Sequence, residues 1–389
     1  MRALIIEPRG DRGSLAATRA LSRAGWTVGV ASSAKPSLAG RSRFAASRHR
    51  VPGAQEGVDR FVAAVNAAIA DGGYEIVFCG AGDAEVTALS RCRGEIAATV
   101  PYPPHEIVLR ALDKLELARA AERVGLPAAT TIVATVEELD RWMPPFVVKA
   151  RAHAPLADDV GPSRLEATIV ADRAAAERRV DEIRALGGDP VFQEMLPGAL
   201  VAFAAVADSD SRIIACAQQA ADATWPPGAG VSARARTTPV DQGLAAQVEA
   251  LLAELGWVGL AELQFLGTAD GGLELIDFNG RFYGSLALAI SAGPNLPAIW
   301  AALATGRKPP RTVAARPGVR YQWLEGDVRR AIAERRGGIA ADLAGTLRFA
   351  PGATHSTWSV ADPGPALVAA GALAVRAAKL VRRSARVEE

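Results

Sequence analysis

Gly256-Trp-Val-Gly-Leu-Ala-Glu-Leu-Gln-Phe-Leu266 runs through Asp270-Gly-Gly272 into Leu273-Glu-Leu-Ile-Asp-Phe-Asn-Gly-Arg-Phe-Tyr-Gly-Ser285. Two apolar runs around a short Gly-rich turn predict a β-hairpin. Alternation places Glu262 and Gln264 on one face of the first strand, and Asp277, Asn279 and Arg281 on one face toward the end of the second. Oxygen-bearing side chains converging from neighbouring strands suit Mg²⁺, which takes few protein carboxylates when substrate phosphates complete its shell. An Arg beside them would neutralise charge on a transferring phosphoryl group. A solvated β face shows the same alternation, but rarely so polar and Gly-rich an end after so apolar a start.

Upstream, Pro144-Pro145 precedes Phe146-Val-Val-Lys-Ala150, a strand with Phe146 and Val148 on one face and Val147 and Lys149 on the other. A Lys ending an apolar strand needs an anionic partner if it is buried. Val191-Phe-Gln-Glu-Met-Leu-Pro-Gly198 reads as a strand entering a turn, with Gln193 and Glu194 as its polar break or as edge residues meeting solvent. Asp113 caps a helix in capping-box spacing with Glu116, and Gly125-Leu-Pro127 stops it. Leu115, Ala118 and Val124 are its expected apolar contacts. Lys114 then sits in the first turn, where the helix dipole disfavours a cation unless an anion is bound; neutralisation by Asp113 or Glu116 is the plainer reading.

Residues 1–110 alternate short apolar runs with helical patterns: strands at Ala3–Ile6, Thr27–Ala31 and Tyr74–Cys79, and a helix from about Ser14 to Arg23. That order predicts a parallel sheet with crossover helices. Ligands in such sheets lie beyond the strand C-termini, so the loops Pro8–Gly13 and Gly80–Asp83 would face a cleft if they are more than turns. The first loop lacks the GxGxxG spacing of a dinucleotide site.

The chain has 389 residues, half of them hydrophobic and 22% charged, with a net charge of +2, which excludes a disordered chain and suggests two or three domains. No basic block of the kind that grips nucleic acid is present. The three cysteines form no CxxC, so a disulfide framework is excluded and a reducing cytoplasm expected. The apolar run from Pro365 to Val375 is about half a membrane span. Five of the 44 basic residues are Lys: Lys35, Lys114, Lys149, Lys308 and Lys379. Lys is a compact point charge where Arg is a planar fork, which gives each of them interest as a phosphate ligand.

Together these segments resemble the ATP-grasp superfamily, most closely its carbamoyl-phosphate-synthase-like carboligases, or carboxylate–amine ligases. Asp113-Lys114 with Gly125-Leu-Pro127 is similar to the entry to the ATP domain, and Phe146–Lys149 to the segment of its second nucleotide lysine. Phe192–Gly198 resembles the adenine hinge, and Trp225–Arg234 a loop between nucleotide and acceptor. Asp277-Phe-Asn-Gly-Arg-Phe-Tyr-Gly-Ser285 resembles the signature Glu-Ile-Asn-Pro-Arg-Phe-Trp-Gly-Ser. The Ser14 helix and Ala46–Val51 are similar to the domain that precedes it.

The resemblance implies an α/β and α+β architecture: an N-terminal Rossmann-like parallel-sheet domain over 1–110, then a two-lobed ATP-grasp domain over 111–310 whose lid lobe covers about 128–196. A C-terminal extension, 311–389, would carry an amphipathic helix with Arg376, Lys379, Arg383 and Arg386 on one face. ATP and Mg²⁺ are the implied cofactors. Lys114 and Lys149 would hold phosphates, and Gln193, Glu194, Met195 and Leu196 adenine. Gln264, Asp277 and Asn279 would hold Mg²⁺, with Arg281 as the catalytic cation. Arg234, Arg236, Glu262 and Ser285 are candidate substrate ligands. The implied reaction activates a carboxylate as an acyl phosphate and joins it to an amine, on small amino-acid-like substrates, with a homodimer as the default assembly.

The pattern departs at Gln264, where the family has Glu, at Asp277, one methylene shorter, and at Ala199-Leu-Val201, which has no carboxylate for ribose. Ala150–Asp159 is also not a Gly-rich loop. A weakened metal site keeps a second reading open: a degenerate member that binds nucleotide or metabolite without ligation. A nicotinamide-dependent dehydrogenase lacks its Gly fingerprint.

Overall fold

The computed structural model describes residues 1–8, 10–152, 167–228 and 230–371. The chain opens with β1 (Arg2–Glu7), α1 (Arg12–Arg23), β2 (Thr27–Ser32), β3 (Ser47–Arg50), α2 (Val58–Gly72), β4 (Ile76–Cys79), α3 (Asp83–Arg91) and α4 (His105–Leu112). The strands form a parallel sheet in the order β3-β2-β1-β4. Leu4, Ile5, Val28, Ile76, Val77 and Phe78 are fully buried in it, the near-continuous apolar reading of strands covered on both faces. Asp11 caps α1, accepting from the Ser14 N–H at 2.7 Å.

Next come α5 (Lys114–Arg123), β5 (Thr131–Val133), α6 (Val136–Arg141), β6 (Phe146–Ala150), β7 (Thr168–Val170), α7 (Arg173–Ala185) and β8 (Pro190–Gln193). Their four strands make a separate small antiparallel sheet, β5-β8-β6-β7. It has its own core: Phe146, Val148 and Ala150 pack with Val180, Ile183 and Phe192. Asp113 caps α5 as expected, accepting from Leu115 and Glu116. Of the expected apolar contacts, Leu115 is buried, Val124 packs half-buried against the core and Ala118 is half-buried; Lys114, Leu117, Ala120 and Ala121 are buried beside them.

The remainder is β9 (Leu200–Ala207), β10 (Ile213–Trp225), β11 (Val231–Thr238), α8 (Gln242–Leu255), β12 (Gly259–Gly267), β13 (Leu273–Asn279), α9 (Leu286–Ala292), α10 (Leu296–Ala304), β14 (Arg320–Gln322), α11 (Leu324–Glu334), α12 (Ile339–Phe349) and β15 (Thr354–His355). These strands form one sheet, β13-β12-β9-β10-β11-β14-β15. The segment after 310 is therefore woven into the fold: β14 pairs with β11, and Asp362 accepts from Arg19 and Ser42 of the first domain. The expected basic face at Arg376, Lys379, Arg383 and Arg386 lies outside the described residues. No single described helix is long and apolar enough to cross a membrane; α9 and α10 are apolar but lie at 95° to each other.

The parallel sheet and the seven-stranded sheet share one core. Trp300 packs edge-on to Phe78 and Phe282 with centroids 4.7 and 5.4 Å apart, and its Nε1 donates to the Pro101 carbonyl. This cluster clamps the end of the β12–β13 hairpin against the C-terminal end of β4, which fixes where Arg281 stands.

Candidate functional site

A cleft of about 1040 Å³ opens where the three sheets meet. The small sheet lines it with Val147, Lys149, Ile169 and the strand exit Gln193–Leu196. The hairpin contributes Glu262, Gln264, Asp277, Asn279 and Arg281. The first domain contributes the loops at Gly10–Arg12 and Ala81, so both loops that sequence left between turn and cleft do face it.

Antiparallel register sets Glu262 opposite Asn279 and Gln264 opposite Asp277. Glu262 is 4% exposed, and its Oε2 accepts from the Asn279 Nδ2 at 3.0 Å and the Gln264 Nε2 at 3.3 Å. With both amide nitrogens turned onto Glu262, the two amide oxygens are left as acceptors. Burial lifts the Glu262 carboxyl to about 7, although Arg281 and the two amides oppose the rise.

Two lysines arrive from different elements. Lys114, buried in the first turn of α5, stands 3.5 Å from the Asp277 carboxylate. Lys149 is also buried, and its Nζ donates to the Ile276 carbonyl at 2.8 Å. Burial, with the Lys114 charge nearby, lowers Lys149 to about 7, and Asp277 only partly offsets this. A buried amine so poised gains most when an anion enters.

Arg281 is 4% exposed and donates through Nε to Asp83 at the start of α3. Burial disfavours its charge, but the Asp83 carboxylate more than offsets this and holds the guanidinium above its ordinary range. At the far side of the cleft Gln193 is buried, donating to the Thr131 hydroxyl, while the Glu194 N–H donates to Thr130. Met195 is exposed and Leu196 buried, both on the cleft wall. Ser285, buried, accepts from the Gln219 Nε2 at 2.8 Å.

Two expected substrate ligands are not brought to the cleft. Arg234 donates to the fully buried Asp327 at 2.6 Å and to Thr346, tying β11 to α11 and α12. Arg236, exposed, pairs with Asp222. Each guanidinium is taken up by a neighbouring carboxylate, which its place in the sequence does not reveal. Conversely, Arg12, Tyr283, Trp323 and Glu325 line the cleft without having been singled out as ligands. Arg12 and Tyr283 fall in segments expected at the cleft, the Pro8–Gly13 loop and Asp277–Ser285, whereas Trp323 and Glu325 belong to the polar-aromatic run Tyr321-Gln-Trp-Leu-Glu325, which meets Arg12 only in the fold.

No group of three or more His, Cys, Asp or Glu among the described residues could hold a metal. The donor set at the hairpin is instead two carboxylates, Glu262 and Asp277, with the amide oxygens of Gln264 and Asn279. That set fits a hard cation that shares its shell with phosphate oxygens, and not a closed all-protein site.

Residues 207–327 match the family model described as "ATP-grasp in the biosynthetic pathway with Ter operon". No curated protein sequence matches the chain. Among solved structures it is similar to biotin carboxylase from Campylobacter jejuni in its β,γ-ATP complex (14% identical, 82% of this chain and 74% of that one, TM-score 0.64). It is similar also to the ADP complex of N5-carboxyaminoimidazole ribonucleotide synthetase (16%, 86% and 85%, TM-score 0.61). A third is L-amino acid ligase from Bacillus licheniformis (14%, 80% and 75%, TM-score 0.58). The match to that ATP-grasp family model falls on the strands that carry Glu262, Gln264, Asp277 and Asn279, and the chain shares with these solved structures the fold in which a small antiparallel sheet and a larger one close on a lysine-lined cleft behind a parallel-sheet domain.

Proposed function

We propose that the chain is an ATP-dependent ligase that activates a carboxylate as an acyl phosphate and joins it to an amine. The observation that carries this reading is the convergence, in one cleft, of buried lysines from α5 and the small sheet on the acidic and amide face of the β12–β13 hairpin. The names of the structural relatives, which include an ATP complex, an ADP complex and an amino acid ligase, agree with it.

In this reading the adenine lies along Gln193–Leu196. The Glu194 N–H is already engaged by Thr130, so recognition falls to the chain at Met195–Leu196. Lys149 and Lys114 take the phosphates; the approach of phosphate charge restores the full ammonium on Lys149. Mg²⁺ bound by Asp277, Asn279, Gln264 and Glu262 would supply charge neutralisation on the phosphate oxygens. A substrate carboxylate oxygen attacks the γ-phosphorus, ADP leaves, and Arg281, held rigid by Asp83, stabilises charge on the transferring group. The amine nitrogen then attacks the acyl carbon, phosphate departs, and the nitrogen gives up a proton.

Two observations favour a second reading, a nucleotide or metabolite binder without ligation: Gln264 stands where the resemblance expects a carboxylate, and Asp277 is paired with Lys114. The two part on phosphate release. Purified protein given Mg-ATP with pools of carboxylates and amines releases phosphate only when both are present if it is a ligase. Nucleotide binding that survives both Lys149→Ala and Asp277→Ala unchanged would overturn the site.

A further inference from the structure

Between Asp11 and Glu56 the sequence holds eight cations and no acidic residue, although the whole chain carries only +2. Arg23, Arg41, Arg43, Arg48 and Arg50 are all exposed on the first domain. Among the described residues this stretch has two ion pairs, Arg19 with Asp362 and His49 with Asp71, so none of those five guanidinia meets a carboxylate. Arg23 and Arg43 instead lie over the Phe44 ring, 5.1 and 5.5 Å from its centre. Like charges gathered without a counter-ion give that face a positive potential that attracts anions.

The segment after β15 is fastened to the same face. Buried Arg19 holds both ends of the loop 357–362, donating to the Thr357 carbonyl at 3.0 Å and to the Asp362 carboxylate at 2.8 Å. Arg43 donates to the Ala361 carbonyl at 3.2 Å, and Gly364 lies so close to the Arg41 carbonyl that a Cβ has no room there. Residues 364–371 are helical, and Val368 seats them against Leu15, Val30 and Leu38. Fixed from beneath in this way, the segment turns Trp358, Val360 and Leu367 outward, 51%, 82% and 73% exposed. None of the three lines the cleft. Single exposed apolar residues are ordinary on a protein surface. Three within ten residues, on a pinned loop and helix beside unpaired arginines, form an apolar tip in a basic rim.

We propose that this face docks on an anionic lipid bilayer, with Trp358, Val360 and Leu367 entering the headgroup boundary and the arginines around them meeting lipid phosphates. A basic rim alone suits any polyanion. The apolar tip selects the bilayer, because Val360 and Leu367 gain by leaving water for acyl chains and gain nothing from a phosphate backbone. The sequence beyond residue 371 adds five cations before its next acidic residue, Glu388, so this end of the chain is basic as well. The inference does not depend on the ligase reading.

The test is flotation of the full chain, titrated with vesicles of equimolar phosphatidylcholine and phosphatidylglycerol and with vesicles of phosphatidylcholine alone. The chain is expected to bind the anionic vesicles, to bind the neutral ones at least tenfold more weakly, and to be released as salt rises. Val360→Ser and Leu367→Ser each weaken binding about tenfold, the loss of one inserted apolar side chain. Neither lowers the melting temperature, because both side chains face solvent in the free chain. Arg41→Gln weakens binding about fivefold, as for one cation at an anionic surface. The proposal is overturned if the anionic vesicles do not bind or if the neutral ones bind as well. It is overturned too if binding survives Val360→Ser and Leu367→Ser made together, which would put the lipid contact elsewhere in the chain. Duplex DNA or polyglutamate that displaces the vesicles and binds Leu367→Ser as tightly as the parent also overturns it, and assigns the rim to a polyanion in solution.

Discussion

The Nζ of Lys149 reaches out of the small sheet and donates to the carbonyl oxygen of Ile276, 2.8 Å away on the edge strand of the larger one. A buried lysine of one lobe is thus held by the backbone next to Asp277 of the other. The contact satisfies one of three ammonium donors, and the Lys114 charge opposes it. Lys149→Met removes a desolvated amine from an apolar strand. The melting temperature is expected to stay or rise, while affinity for a non-hydrolysable ATP analogue falls at least tenfold, about 1.4 kcal/mol. Thermal unfolding and calorimetry on the same sample check both halves.

Nucleotide binding is also expected to take up protons. With Lys149 at about 7 in the free protein, a large share of the amine is neutral at pH 8, and phosphate oxygens raise its pKa on arrival. Affinity therefore falls as pH rises above about 7. Binding enthalpies in buffers of different ionisation heat would show the uptake at pH 8, and Lys149→Met would abolish it.

Glu7 makes stability depend on pH with the opposite sign from an ordinary surface carboxylate. Burial lifts it from 4.5 to about 7, against hydrogen bonds from Ser37 and the Ala39 N–H. Between those values the folded chain keeps a proton that the unfolded chain has released, so stability falls as pH rises through that window. Glu7→Gln is expected to be more stable than the parent by about 1–3 kcal/mol at pH 8 and equal to it at pH 4. Denaturant unfolding at the two pH values decides it.

Arg19 and Asp362 join the first domain to the segment after β15 at 2.8 Å, and both are buried. Asp362 also accepts from Ser42 and the Arg43 N–H. Arg19→Ala leaves that carboxylate without its cation and is expected to cost about 3–5 kcal/mol, read by denaturant unfolding. Arg335→Ala, on an exposed αL turn, serves as the matched control with a change below about 0.5 kcal/mol.

Much of the architecture was legible because local signals and burial agreed. The alternation at Phe146–Ala150 puts Phe146 and Val148 into the small core and Lys149 into the cleft, and the Gly-rich turn after Leu266 makes the hairpin whose register pairs Gln264 with Asp277. Asp113 caps its helix from three residues of sequence. What was not legible depends on contacts across the chain. Arg234 and Arg12 are both arginines near aromatic and acidic residues, yet Asp327 claims one and Trp323 positions the other beside the cleft. Nothing local distinguishes them. Glu262 likewise becomes the acceptor for Asn279 and Gln264 only when the hairpin closes.

A nucleotide site between Lys114, Lys149 and the hairpin that works with a divalent cation is open to calorimetric titration of the full chain with a non-hydrolysable ATP analogue, with and without Mg²⁺. Binding is expected to tighten with Mg²⁺ and to lose that gain in Asp277→Ala. Absence of binding under both conditions, or a Mg²⁺ effect that Asp277→Ala leaves intact, would rule the site out.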